Sequence, residues 1–134
     1  MRDTAPAGTS AGRSLEALAA EPCLTQVGQT ALPEAAIAPL LSCLPGWAWQ
    51  RQGGWRLVKR FSFANYYSTM AFVNVVAAIA HGSDHHPDLS VHYGHCDVSF
   101  NTHDVVQPDG TPGGLSRNDF ICAARIECAQ ALTQ

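Results

Sequence analysis

The sequence predicts an α+β fold in which an antiparallel sheet carries helices packed on one face. Three observations predict it. Apolar residues recur at three- and four-residue steps in three separate stretches, and other stretches alternate with a period of two or cluster aromatic residues around glycine turns. The two kinds of stretch follow the order helix-strand-strand-helix-strand-strand-helix, which suits hairpin-paired strands with helices on one side. At 134 residues the chain has the size of one domain.

Residues 1–22 are rich in Ala, Gly, Ser, Thr and Pro, and after Met1 only Leu15 and Leu18 offer apolar side chains larger than alanine. A disordered N-terminal tail is expected there, followed by a single domain over 23–134. Arg2 and Arg13 would suit an organellar transit peptide, but Asp3 and Glu16 argue against one. From Leu32 onward, Leu32, Ala36, Ile37, Leu40, Leu41 and Leu44 follow helical spacing, with Pro33 acceptable in the first turn. Pro39 lacks an interior donor, which costs ~3 kcal/mol, so a kink or a late start is expected.

Pro45-Gly46 stops that helix, and Trp47 to Trp49, a Gly53-Gly54 turn and Trp55 to Phe63 read as a hairpin. Leu57, Lys59, Phe61 and Phe63 share one parity, so the alternation is imperfect. Between Arg60 and His81 lie twenty uncharged residues, enough on paper to span a bilayer. Asn65, Asn74, Ser62, Ser68 and Thr69 dilute the run, and residues 64–80 read instead as a helix buried on more than one side, against its own sheet and against a partner subunit.

In the stretch from Leu89 to His103, Cys96, Val98, Phe100 and Thr102 share one face and Asp97, Ser99, Asn101 and His103 the other. Gly94-His95 is expected to form a tight turn with glycine first; a bulged continuous strand is the alternative. Residues 104–115 read as a loop, and Ser116-Arg117-Asn118-Asp119 opens a last helix carrying Phe120, Ile121, Ala124 and Cys128 at helical spacing.

Composition narrows the function. Charged residues make up only 14%, which suggests that part of the surface is covered in an oligomer. A net charge of −3 without basic clusters argues against nucleic-acid or anionic-membrane partners. Five cysteines, never spaced as CxxC and with no apolar leader run before them, fit reduced cytoplasmic thiols.

Six histidines at 81, 85, 86, 92, 95 and 103 fall within 23 residues. Imidazoles serve as zinc ligands or move protons near neutral pH. His81 and His85 form HxxxH, but Gly82 stands where a zinc-protease motif needs glutamate, so no metal site is expected. His92 and His95 read as solvated strand side chains, and Asp119 fits a capping box three residues after Ser116. His85-His86-Pro87, in a loop with little structural use for two imidazoles, reads as functional, as does His103.

The spaced set His81, His85-His86-Pro87, Tyr93, His103 and Asp119 resembles the pterin-4a-carbinolamine dehydratase family. Leu44-Pro45-Gly46-Trp47, Phe61-Ser62-Phe63, Phe72 with Val75 and Val76, Thr102-His103 and Gly113-Gly114-Leu115-Ser116 extend the resemblance over roughly 32–130. It implies a four-stranded antiparallel sheet with helices on one face, and assembly into homodimers or homotetramers. The implied reaction is loss of water from a 4a-hydroxytetrahydropterin, left by aromatic amino-acid hydroxylases, to give quinonoid dihydropterin without metal or organic cofactor.

By the same resemblance His85, His86 and His103 fall on the family's catalytic histidines, with His85 and His103 as the acid/base pair and His86 holding the pterin. His81 and Asp119 are assigned to substrate binding. Position 81 is usually acidic in the family, and the loop from Asp104 to Pro112 is longer than usual. If the helix persists to His85, His81 shares its face and tunes it. The alternative is a non-catalytic binding protein of the same fold, a transcription dimerisation cofactor or an enzyme-assembly chaperone.

Overall fold

The glycine turn and the period-two stretch build one sheet. In the computed structural model, which describes residues 14–132, β1 (Ala48–Gln50), β2 (Arg56–Ser62), β3 (Asp88–Val91) and β4 (His95–Phe100) form a four-stranded antiparallel sheet in the order β1-β2-β4-β3. Leu57 opposes Phe100, Lys59 opposes Val98 and Phe61 opposes Cys96, so one parity of both central strands faces inward. Lys59 interrupts the apolar parity because its ammonium pairs with Glu127 of the last helix at 2.6 Å, while the Trp47 indole donates to the same carboxylate oxygen at 2.9 Å.

Four helical segments accompany the sheet: α1 over 14–19, α2 (Glu34–Leu41), α3 (Tyr66–Ser83) and α4 (Arg117–Leu132). Phe72 and Val76 of α3 and Phe120, Ile121 and Ala124 of α4 meet Leu57, Val98 and Phe100 in one core. Fully burying each large apolar side chain stabilises by about 1.5–3 kcal/mol. The opposite sheet face carries Arg60, Asp97 and Ser99, none of them buried. Among the described residues no helix is long and apolar enough to cross a membrane.

Several expectations change. Residues 14–22, expected to belong to the tail over 1–22, carry α1 and pack on the core, and residues 1–13 lie outside the described residues. Leu18 is 3% exposed in the core, Arg117 grips Glu21 with two bonds at 2.6 and 2.7 Å, and Arg125 donates to the Ala19 and Glu21 carbonyls. Helix α2 starts after Pro33 and runs two residues past Pro39, which in so short a helix forfeits a single ladder bond. The β3–β4 turn has Tyr93 and Gly94 at its centre, placing glycine second rather than first.

Residues 102–114 are a hairpin rather than a plain loop: β5 (Thr102–Val106) pairs with β6 (Pro112–Gly114). Gly114 has no room for a side chain, since a Cβ there would stand 2.9 Å from the Ala31 Cβ. That close approach lets Ala31 N–H reach Val106 O at 2.9 Å and Leu32 N–H reach Leu115 O at 2.8 Å. Helix α3 buries one stripe, Thr69, Phe72, Val76, Ala80 and Ser83, and within the single chain its other side is open.

Candidate active site

The end of α3 decides which histidine enters the interior. Asp84 adopts the left-handed conformation at φ 52° and caps the helix, and His85 N–H returns to the Ala80 carbonyl at 3.2 Å. His85 therefore leaves the helical path, and the expected shared face with His81 does not form. His81 is exposed on α3 and instead lines a shallow cavity with His86, Val76 and Pro87. Consecutive residues of an extended chain project to opposite sides, so His85 and His86 part company.

His85 lies flat on Phe100, with ring centroids 5.8 Å apart and planes 5° from parallel, and its Nε2 stands 2.6 Å from Asp119 Oδ1. Asp119 is fully buried in the first turn of α4. Its other oxygen accepts the Ser116 backbone N–H and the Thr102 hydroxyl, each at 2.9 Å. Ser116 Oγ lies 2.7 Å from Thr102 Oγ1 and, since that hydroxyl already donates to Asp119, donates to it. Three donors thus converge on one carboxylate, the pattern of an acceptor-only side chain whose burial is compensated by hydrogen bonds. One oxygen closes the expected capping-box contact back to Ser116 N–H and the other meets His85, and full burial keeps Asp119 itself away from the direct substrate contact expected of it.

A cavity of about 190 Å³ opens beside this pair, walled by His85, Thr102, Asp104 and Ser83 and, from the N-terminal segment, by Cys23 to Gln26. That segment is strapped to α4. Leu24 N–H donates to Asn118 Oδ1 at 3.0 Å and Asn118 Nδ2 donates to Leu24 O at 2.7 Å, while Cys23 Sγ lies 3.8 Å from Cys122 Sγ. Burial, helped by Cys23, pushes the Cys122 thiol up to about 12. Arg125 ties the strap to α3 by donating to Ser83 Oγ at 2.7 Å.

His103 is exposed on β5, next to Thr102, and neither it nor His86 lines the His85 cavity of the single chain. The structure therefore gathers His85 with Asp119 and leaves His81, His86 and His103 outside this cavity. Thr102, Ser116 and the strap escaped the sequence reading as site residues. A signal for Thr102 existed, because it is the lone polar member of the Cys96, Val98, Phe100, Thr102 parity. No local pattern marks the strap.

Comparisons with known proteins agree with this fold. A family model described as pterin 4 alpha carbinolamine dehydratase matches residues 30–129. A relative from Stenotrophomonas maltophilia (strain R551-3), provisionally named pterin-4-alpha-carbinolamine dehydratase, is 54% identical over 103 residues, 77% of this chain and 79% of its own. A Chromobacterium violaceum relative with the same provisional name is 50% identical over 105 residues, 78% of this chain and 88% of its own. Among solved structures, a transcriptional coactivator/pterin dehydratase from Brucella melitensis matches with a TM-score of 0.63 at 24% identity, over 74% of this chain and 97% of its own. A pterin dehydratase-like protein identified as a RuBisCO assembly factor in the alpha-carboxysome matches with a TM-score of 0.50 at 23% identity, over 62% of this chain and 87% of its own. At such identities these two likenesses speak for the fold.

Proposed function

The chain belongs to the pterin-4-alpha-carbinolamine dehydratase family, and we propose that it removes water from a 4a-hydroxytetrahydropterin to give quinonoid dihydropterin, acting as a hydro-lyase in tetrahydropterin recycling. The elimination needs two proton movements. One group takes the proton from ring N5 as the C4a–N5 double bond forms, and another protonates the departing 4a-hydroxyl so that it leaves as water. Each is worth ~10²–10⁴-fold.

The observation that carries this reading is the His85–Asp119 pair beside the cavity. A carboxylate bonded to Nε2 fixes the tautomer of His85, orients its ring and stabilises the imidazolium once a proton is taken, leaving Nδ1 as the nitrogen that exchanges it. His103 is the proposed second proton-handling group, supported by its place in the family motif beside Thr102. His86 and His81 are proposed to hold the pterin on the strength of their places in the family motif, and no metal or organic cofactor takes part.

The test is the dehydratase rate of His85→Ala and His103→Ala. Each lowers kcat/KM by ~10²-fold or more, with circular dichroism unchanged. Near-normal rates in well-folded variants would overturn the assignment and favour a non-catalytic binding role on the same fold.

A further inference from the structure

On the sheet face turned away from the core, register brings together a second group of metal-capable side chains. His92 and His95 oppose each other across the β3–β4 turn, where His92 N–H donates to His95 O at 2.8 Å, and Asp97 follows His95 on the same parity. One nitrogen of each histidine and one oxygen of Asp97 lie within 4.8 Å of one another. The imidazoles stack with centroids 4.1 Å apart and planes 19° from parallel. Bonds of about 2.0–2.2 Å to a common ion require these atoms to close by roughly 1 Å, within reach of ring rotation at the exposed His92.

Two of the three side chains already have outer partners. Arg60 of β2 holds Asp97 through both oxygens at 2.7 and 3.1 Å, and each oxygen keeps a further lone pair. Ser90 Oγ lies 2.9 Å from His92 Nε2. Partners of this kind orient metal ligands and raise affinity. Two imidazoles and one carboxylate suit borderline ions of the cobalt-to-zinc series, whereas Mg²⁺ and Ca²⁺ favour all-oxygen sets.

We propose that His92, His95 and Asp97 form a surface site for a divalent transition-metal ion, with water completing its coordination. The site is separate from the proposed chemistry, because His85 stacks on the inward-facing Phe100 whereas Asp97 and His95 have the outward parity of the same strand. It also revises the expectation that His92 and His95 are merely solvated and that no metal is held.

Titration of the reduced, metal-free protein with Co²⁺ tests this. The expected result is one saturable equivalent with visible bands of nitrogen and oxygen ligation, displaced by Zn²⁺. Binding is lost in His92→Ala and His95→Ala, weakened about tenfold or more in Asp97→Asn, and the circular dichroism of all three is unchanged. Absence of saturable uptake, uptake unchanged in both histidine variants, or an intense near-ultraviolet thiolate band that assigns the ion to cysteines would each overturn the proposal.

Discussion

Asp119 holds His85 through one carboxylate oxygen at 2.6 Å while its other oxygen anchors the start of its own helix at Ser116. The orientation of the imidazole is thereby tied to the fold of α4 itself. Folding and site geometry share one side chain, which separates the effects of two substitutions.

Asp119→Asn keeps an oxygen for the Ser116 N–H but can present an amide N–H₂ to His85, favouring the wrong tautomer. The fold persists and kcat/KM falls by ~10²-fold or more. Asp119→Ala also strands the Ser116 and Thr102 donors and lowers stability by about 1–3 kcal/mol. Dehydratase rates measured beside denaturant curves distinguish the two, and an Asp119→Asn enzyme with full activity would dismiss the orienting role.

The strap supplies a wall of the cavity without supplying a group to the chemistry. Asn118→Ala removes both bonds to Leu24. A severalfold rise in KM with kcat nearly unchanged is expected, the signature of lost ground-state binding. A fall in kcat at constant KM would mean that the strap acts on the transition state.

Helix α3 leaves Tyr67 84% exposed and Ala71, Asn74 and Ala78 open along an uncharged face. Monomers rarely expose such patches. Sedimentation at micromolar concentration is expected to show a homo-oligomer, and Ala78→Glu to shift it toward single chains that still melt cooperatively. A wild-type protein sedimenting as a single chain would contradict this.

How much of this was legible depends on whether the signal was local. The Cys96, Val98, Phe100, Thr102 parity, the Gly53-Gly54 turn and the stop at Pro45-Gly46 are local, and the sheet follows them. The β5–β6 hairpin was hidden because Pro112-Gly113-Gly114 has no strand propensity. It pairs because Gln107 N–H reaches Thr111 O and because Gly114 admits Ala31 closely. The burial of Leu18 goes with bonds from Arg117 and Arg125 of α4 to its own segment, nearly a hundred residues away in sequence. The histidine cluster was visible as composition, but its division into His85 with Asp119, His81 with His86, and His92 with His95 comes from a left-handed residue at Asp84 and a hairpin register.

Cys122 predicts the alkaline limb of stability. The thiol is fully buried beside Cys23, and burial is the largest cause raising it from 9.0 to about 12, with Cys23 adding to the shift and Ser83 and Arg125 opposing it. In the unfolded chain a cysteine ionises near pH ~8.5, so above that pH the unfolded state holds fewer protons than the folded one. Stability therefore falls as pH rises from about 8.5 toward 12, with a slope of at most about 1.4 kcal/mol per pH unit from this group. Below pH 8 both states keep the proton and the contribution is flat. Cys122→Ala removes the titration and is expected to give a shallower decline between pH 9 and 11, whatever its effect at neutrality. Urea unfolding midpoints of the two proteins across that range, under reducing conditions, provide the measurement. Parallel declines would show that Cys122 ionises as readily in the fold as out of it.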